Sequence, residues 1–251
     1  MDQPTKPRSR GIYLLPNLFT TSALFAGFYA ATGAINGHFE AAAVAIFIAM
    51  VLDGLDGRVA RMTNTQSEFG AQYDSLADLV SFGLAPGLVA YAWGLASLGK
   101  LGWIAAFVYA TCGALRLARF NVQHGSADKR YFQGLPSPAA AALMAGFIWV
   151  MVDNEIAGDS AAYGMLLVTL VSGLLMVSNI RYHSFKELNF SGKVPFVVAV
   201  IVMLVLAIIY VAPPLILFSL FLIYAVSGLV LTANLLRRSR REKNTPPSDA
   251  E

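Results

Sequence analysis

Four aspartates lie within one stretch of 26 residues, DGLDGRVARMTNTQSEFGAQYDSLAD, which begins at Asp53 and ends at Asp78. Asp53 and Asp56 are three positions apart, while Gly70, Asp74 and Asp78 follow one another at intervals of four. On helices, each set therefore shares one face. Long apolar segments flank the stretch, and acids within such segments are costly and mark function. The pattern predicts two helices whose acidic faces converge beneath a membrane surface.

The predicted chemistry of this stretch is divalent-cation binding. Four carboxylates in a dry pocket cannot all stay ionised unless cations neutralise them. Oxygen ligands suit Mg²⁺ or Mn²⁺, and the stretch contains neither His nor Cys. Two such ions close together serve displacement at phosphorus. We expect two ions bound by Asp53, Asp56, Asp74 and Asp78. The alternative is a helix pair joined only by Asp–Arg ion pairs.

Small and basic residues between the acids fit a phosphorylated ligand. They are Gly57, Ala60 and Gly70, which leave room beside the backbone, and Arg58 and Arg61, which are placed to meet phosphate charge. A polar turn over residues 63–66 is expected to fold the second helix back beside the first. Ser67 is the expected N-cap of that second helix.

The composition is that of a polytopic helical membrane protein. Of the 251 residues, 57% are hydrophobic and 13% are charged, with a mean hydropathy of +0.60. A soluble domain would carry about 25% charged residues. No cleavable signal peptide is visible, and the single Cys112 excludes an internal disulfide. The net charge of +3 is explained by loop arginines at a membrane, so no nucleic-acid partner is expected.

The apolar segments predict an all-α fold with about eight transmembrane helices. These cover residues 13–35, 41–61, 68–96, 101–120, 137–152, 160–177, 194–211 and 215–236. Pro86 lies inside the third helix and predicts a kink over residues 82–85. The expected organisation is a cytoplasmic segment 1–11, one transmembrane domain 12–236 and a disordered cytoplasmic tail 237–251.

Charge and tryptophan positions predict the orientation. With eight spans, 17 of the 18 Lys and Arg residues fall on the side of both termini, and only Lys100 falls opposite. The positive-inside rule places that basic side, and the acidic stretch with it, on the cytoplasmic side of the inner cell membrane. Trp93, Trp103 and Trp149 fall near the outer helix ends, as an aromatic belt requires.

The acidic stretch resembles the signature of the CDP-alcohol phosphotransferases. The pattern Asp53-x2-Asp56-Gly57-x2-Ala60-Arg61-x8-Gly70-x3-Asp74-x3-Asp78 agrees at eight positions with fixed gaps. The resemblance implies the family's transmembrane fold, its metal-dependent transfer chemistry and a homodimer. It also implies that Asn17, which follows Pro16, contacts the nucleotide diphosphate. The implied CDP-diacylglycerol-binding residues are Asn17, Asp53, Gly57, Ala60, Arg61 and Gly70.

Further stretches resemble the membrane-bound phosphatidylserine synthases within this family. They are residues 74–86, 116–121, 131–139 and 178–182. The resemblance implies CDP-diacylglycerol as donor, L-serine as acceptor and phosphatidylserine and CMP as products. It further implies direct displacement without a covalent enzyme intermediate, with Asp78 as the general base.

The residues on the acceptor side allow more than one interpretation. Arg116, Arg119, Asn121 and Arg181 could bind the serine carboxylate or another anion. Arginines near a helix end also serve simply as interfacial side chains. Glycerol 3-phosphate or an inositol phosphate is an alternative acceptor. A more remote alternative is an ion or proton-coupled transporter, which would distribute its acids across the membrane.

Overall fold

The fold is a bundle of helices with one small β-ladder. The computed structural model describes residues 14–63, 65, 67–122, 131–183 and 196–244. Its α-helices are α1 Leu14–Ile35, α2 Phe39–Thr63, α3 Glu68–Asp78, α4 Ala85–Trp93, α5 Lys100–Val122, α6 Ser137–Asp153, α7 Ala162–Val177, α8 Phe196–Val211 and α9 Pro213–Asn244. A π-helical segment, Leu79–Leu84, joins α3 to α4, and a 3₁₀ turn, Leu95–Leu98, precedes α5. The strands are β1 Tyr131–Gln133 and β2 Arg181–His183.

Each of the eight predicted helices has a helical counterpart, and the third corresponds to α3, the π-helical segment and α4 together. By length and composition, four stretches among the described residues can cross a membrane. They are Pro16–Ile35, Glu68–Trp93, Lys100–Val122 and Pro213–Asn234. Two shorter apolar helices, Ser137–Asp153 and Ala162–Val177, accompany them. The protein is therefore a multi-pass membrane protein, and the number of eight crossings stays a prediction.

Close packing of α1 on α2 is made possible by alanine. Both helices contribute alanines that are almost fully buried, namely Ala26, Ala30 and Ala34 from α1 and Ala42, Ala43, Ala45 and Ala49 from α2. Small side chains let helix backbones approach closely, and this is the usual basis of helix association in lipid. The packing holds the carboxyl-terminal half of α2, which carries Asp53 and Asp56, beside the first turns of α1.

The predicted distortion around Pro86 takes the form of the π-helical segment Leu79–Leu84. The backbone N–H of Ala85 bonds to the carbonyl of Val80, five residues earlier, instead of four. A proline has no N–H and its ring crowds the carbonyl four residues before it, which here is Phe82. The fully buried Tyr109 hydroxyl of α5 donates to that carbonyl at 2.9 Å.

The β-ladder amends the all-α prediction. β1 and β2 pair antiparallel, with Phe132 opposite Tyr182. Gly134 follows β1 with a φ of +79°, and a Cβ at that position would collide with the carbonyl of Met176. The Gly134 N–H donates to Ile180 at 2.8 Å. Strand propensity over three residues gives almost no sequence signal, so the pairing follows from this tertiary contact.

The ladder rests on α9 through Tyr182, which is fully buried. Its ring lies directly against Gly228, and its hydroxyl donates to the carbonyl of Ala225 at 3.2 Å. Burial raises the pKa of Tyr182 to about 12, so the phenol keeps its proton and remains a donor. The backbone N–H of Arg181 also bonds to Thr232 of α9, at 3.0 Å.

The tail predicted from residue 237 begins within α9, which continues to Asn244. Arg, Glu and Lys are good helix formers, so a helix that leaves the apolar region can propagate through them. Pro246 and Pro247 cannot continue it. The remaining tail, 245–251, and the predicted segment 1–11 lie outside the described residues.

Candidate active site

The turn between α2 and α3 brings the two acidic faces together. Thr63 ends α2, and its hydroxyl lies 2.7 Å from that of Thr65, whose N–H returns to the carbonyl of Ala60. Ser67 then begins α3 from an extended conformation and accepts the N–H of Gly70 on its side chain at 3.0 Å. The predicted N-cap is confirmed. An N-cap of this kind stabilises a helix by about 1 kcal/mol.

Three of the four predicted ligands converge on one point. Asp53, Asp56 and Asp74 each offer a carboxylate oxygen, and these oxygens all lie within 4.8 Å of one another. Asp56 is buried, with 5% of its surface exposed, whereas Asp53 and Asp74 are half-buried. Two helices thus supply one cluster, as the i,i+3 and i,i+4 spacings require.

Asp78 adjoins these three through Asp53. A side-chain hydrogen bond links the two residues, and the charges of Asp74 and Arg116 also act on Asp78. Asp78 is half-buried at the last turn of α3, immediately before the π-helical segment. We call Asp53, Asp56, Asp74 and Asp78 the acidic cluster.

The donors in the acidic cluster fit a hard divalent cation. All are carboxylate oxygens, which is the ligand type that Mg²⁺ and Mn²⁺ take in proteins. Carboxylate oxygens of Asp53, Asp56 and Asp74 lie within 4.8 Å of one another, and ionised carboxylates only accept hydrogen bonds, so such proximity favours a shared proton or a cation between them. The cluster can therefore bind a metal ion.

The alternative of Asp–Arg pairs does not account for Asp56. Its carboxylate accepts the hydroxyl of Thr20 at 2.7 Å and the backbone N–H of Gly57, besides its contact with Asp74. Arg61 acts on Asp56 through charge, without a hydrogen bond. The arginine is exposed, with its guanidinium beside Gly57.

The side chain of Asn17 in α1 lies close to Gly70, one of the small residues of the signature. A Cβ on Gly70 would lie 3.6 Å from Oδ1 of Asn17 and 3.1 Å from the hydroxyl of Ser67. The open space around Gly70 is thus bordered by polar atoms. Ala60 is half-buried, and Arg58, near it on α2, is exposed.

Thr20 is a site residue that sequence reasoning missed. It is buried, with 4% of its surface exposed, and donates to Asp56; the same hydroxyl lies 3.2 Å from the carbonyl of Pro16. Thr20 lies one turn after the Pro16-Asn17 pair, but α1 carries several other hydroxyl residues, so the sequence alone does not single it out. The neighbouring Thr21 bonds across to Tyr73 of α3 at 2.9 Å.

Arg116 faces the acidic cluster from α5. Its Nη1 donates to the hydroxyl of Ser137, the first residue of α6, at 2.8 Å. Its Nε is buried and has no hydrogen-bond partner among the described residues. The charge of Arg116 acts on Asp78.

Arg119, one turn further along α5, is held by protein groups. It donates to the carbonyl of Val177 at 3.3 Å and to Oδ1 of Asn179 at 2.7 Å, and Gln133 donates to the same amide oxygen at 2.9 Å. We call Arg116 and Arg119 the basic cluster. Asn121 follows at the end of α5, where its Oδ1 accepts from Ser75 of α3 at 3.2 Å.

Arg181, also predicted to bind an anion, lies in β2, two residues after Asn179. Its side chain is exposed and forms no hydrogen bond with any described residue. Only its backbone is fixed, through the β-ladder and Thr232. The basic pair Lys129-Arg130, considered for a phosphorylated acceptor, lies outside the described ranges.

Comparisons with known proteins agree with this geometry. The family model for CDP-alcohol phosphatidyltransferase matches residues 13–236. A Helicobacter pylori protein (strain ATCC 700392 / 26695) named CDP-diacylglycerol–serine O-phosphatidyltransferase is 40% identical over 205 residues, which are 80% of this chain and 84% of the relative. A protein of the same name from Methanocaldococcus jannaschii is 38% identical over 185 residues, 74% of this chain and 81% of the relative.

A third relative with that name, from Mycobacterium bovis, is 36% identical over 183 residues, which are 70% of this chain and 64% of the relative. The matched region of the family model includes the acidic cluster, the basic cluster and Asn17. By these matches, the chain belongs to the CDP-alcohol phosphatidyltransferase family.

Proposed function

We propose that the protein transfers the phosphatidyl group of CDP-diacylglycerol to the hydroxyl of L-serine, giving phosphatidylserine and CMP. The observation that carries the proposal is the convergence of Asp53, Asp56 and Asp74 within 4.8 Å, with the charge of the half-buried Arg116 acting on Asp78. The relatives named for this reaction, from two bacteria and an archaeon, support the same acceptor.

Asp53, Asp56 and Asp74, with Asp78 beside them, would hold two divalent cations, Mg²⁺ or Mn²⁺. The chemistry that such ions supply is neutralisation of the diphosphate and of the charge that develops as CMP leaves. Asn17 and Arg61 border the space beside Gly70 and Gly57, where the diphosphate would lie. Thr20 holds Asp56 in its orientation.

Asp78 takes the proton from the serine hydroxyl, which is a poor nucleophile while protonated. The serine oxygen then forms a bond to the phosphorus that carries diacylglycerol. The bond between that phosphorus and the bridging oxygen breaks, and CMP departs with the electron pair. Arg116, with its free Nε and its charge near Asp78, would bind the carboxylate of serine. Arg119 and Asn121 would support that pocket from the same helix.

The test is Asp78→Asn, assayed as CMP release from CDP-diacylglycerol in detergent micelles with Mn²⁺ and serine. Turnover is expected to be abolished while binding of CDP-diacylglycerol is retained. Turnover at the unsubstituted rate would contradict the role of Asp78. Supplying labelled serine, glycerol 3-phosphate and inositol phosphate separately identifies the acceptor. If the protein releases no CMP in the presence of metal, the result would favour the transporter alternative.

The proposal includes an orientation and an assembly. The acidic cluster and both termini would face the cytoplasm across the inner membrane, and two chains would form a homodimer, as the family resemblance implies. Glu155→Cys should react with an impermeant thiol reagent from outside intact cells, and Val122→Cys should not. Light scattering of the purified protein should give the mass of two chains. The reverse labelling, or the mass of one chain, would contradict these parts separately.

A further inference from the structure

The π-helical segment Leu79–Leu84 begins directly after Asp78, so its geometry decides how α3 presents its acids. A π-turn accommodates one more residue than an α-turn. In a regular α-helix each residue advances by about 100°, so one extra residue rotates α3 by that angle relative to α4. Asp74 and Asp78 lie before the segment, while Pro86 and Gly87 lie after it.

Tight packing against α5 fixes the end of the π-helical segment and the start of α4. A Cβ on Gly87 would lie 3.3 Å from the carbonyl of Ala106, and one on Gly113 would lie 3.2 Å from the Cα of Gly83. The backbone at Gly83 and Gly87 therefore has no room to rotate relative to α5. The direction in which Asp74 and Asp78 point therefore depends on whether the intervening turn is π or α.

Two features hold the turn in the π form. Pro86 removes the N–H that an α-turn would offer to the carbonyl of Phe82. Tyr109 replaces that donor from α5, at 2.9 Å, and is fully buried. Its position is itself fixed, because a Cβ on Gly173 of α7 would lie 3.3 Å from the Cα of Tyr109. The hydroxyl thus reaches the carbonyl whose usual donor Pro86 cannot supply.

We propose that Tyr109, together with Pro86, is a positioning residue for the metal-binding acids: it maintains the π-helical segment and thereby aims Asp74 and Asp78 at Asp53 and Asp56. Tyr109 touches neither substrate nor metal in this role. The proposal rests on the proposed function only for its kinetic readout, since binding of Mn²⁺ to the acidic cluster reports the aim of the carboxylates directly.

The first variant is Tyr109→Phe, which keeps the ring and removes the donor. Titration of the purified protein with Mn²⁺, followed by electron paramagnetic resonance of the free ion, should show binding weakened about tenfold, with a fall in kcat of at least that size. The matched control is Tyr91→Phe in α4, a half-buried tyrosine that bonds to no described residue, and it should change neither quantity.

The second variant, Pro86→Ala, separates positioning from stability. Alanine supplies the missing N–H to Phe82 and favours the α-turn, so the thermal midpoint should stay the same or rise, because proline disfavours a helix interior. Mn²⁺ binding and kcat should nevertheless fall about tenfold, as expected when metal ligands are misdirected. A loss caused by poor folding cannot produce this combination.

The proposal is overturned if Tyr109→Phe or Pro86→Ala binds Mn²⁺ and turns over like the unsubstituted protein. It is also overturned if Tyr109→Phe lowers only the thermal midpoint. An unsubstituted protein that binds Mn²⁺ but releases no CMP with serine would refute the proposed function alone. In that case the Mn²⁺ titrations of the two variants still decide the role of Tyr109.

Discussion

The acidic cluster and the basic cluster are built in different ways. The acids come from two helices adjacent in sequence, joined by a four-residue turn that Ser67 caps, and their spacing already places them on common faces. The arginines come from one helix, but the groups that hold them lie far along the chain: Ser137 for Arg116, and Val177 and Asn179 for Arg119. Local spacing places the acids on common helix faces, whereas the arginines are held by tertiary contacts.

The difference has a functional counterpart. The signature that the acidic stretch resembles has fixed gaps between its acids, and all four acids lie within residues 53–78. The basic cluster is positioned by the hydroxyl of Ser137, the carbonyl of Val177 and the side-chain amide of Asn179, which belong to other segments. Under the proposed function, the chemistry would depend on the acidic cluster and the choice of acceptor on the basic cluster.

After Asp78→Asn, the largest effect should come from Asp56→Asn. It removes a carboxylate that is buried and already oriented by Thr20, so transition-state stabilisation worth several kcal/mol is lost and CMP release should fall about a thousandfold. Raising the Mn²⁺ concentration should not restore the rate. The control is Asp153→Asn at the far end of α6, which should be neutral. Equal activity of Asp56→Asn and Asp153→Asn would show that catalysis does not depend on the acidic cluster through Asp56.

Arg116→Lys should act on the acceptor alone. Lysine keeps the charge but loses the planar donor set, so KM for serine should rise on the order of a hundredfold while KM for CDP-diacylglycerol changes little. The matched variant is Arg119→Lys. The acceptors of Arg119 are protein groups, so this substitution should mainly lower the thermal midpoint and have little effect on KM for serine. A shift in both KM values for Arg116→Lys would argue against separate clusters.

Thr20→Val should weaken metal binding without removing a ligand. Valine has nearly the shape of threonine but cannot donate to Asp56, and loss of such a supporting hydrogen bond raises the half-saturating Mn²⁺ concentration about tenfold. Thr32→Val on the same helix is a suitable control, since the hydroxyl of Thr32 bonds only to carbonyls of its own helix. An unchanged Mn²⁺ dependence would show that Asp56 does not need Thr20.

Gly134→Ala should have the smallest effect on activity and a clear one on stability. Both Gly134 and Gly37 have positive φ, which costs a non-glycine residue about 1 kcal/mol. Only at Gly134 would the new Cβ also collide, with Met176, whereas nothing lies within 4 Å at Gly37. Gly134→Ala should therefore lower the thermal midpoint more than Gly37→Ala. An equal decrease in thermal midpoint for the two variants would show that the β-ladder shifts to accommodate the new Cβ without loss of stability.

Sequence patterns predict the local part of this molecule well. Apolar length locates the helices, the spacing of Asp53, Asp56 and Asp74 predicts their convergence, and Ser67 predicts the start of α3. Each of these depends on residues within a turn or two of one another. The form of the distortion before Pro86 is harder to predict from sequence, because the π-turn depends on Tyr109, which is 23 residues further along the chain.

The features that the patterns do not predict come from contacts between distant segments. β1 and β2 are three residues long and have no periodicity of their own, and their pairing depends on Gly134 fitting against Met176. Arg181, grouped with the other arginines from its sequence context, instead has an exposed side chain. Thr20 is one of several hydroxyl residues on α1, and only the fold shows that it reaches Asp56.

The β-ladder imposes an order on biosynthesis. β1 has no partner until the ribosome has produced Arg181–His183, which come after both α6 and α7. The helices that bear the acids are complete long before that point, and membrane domains assemble from the N-terminus as they emerge. A nascent chain arrested after α5 would thus already contain every carboxylate of the cation site, yet have nothing to secure Arg119.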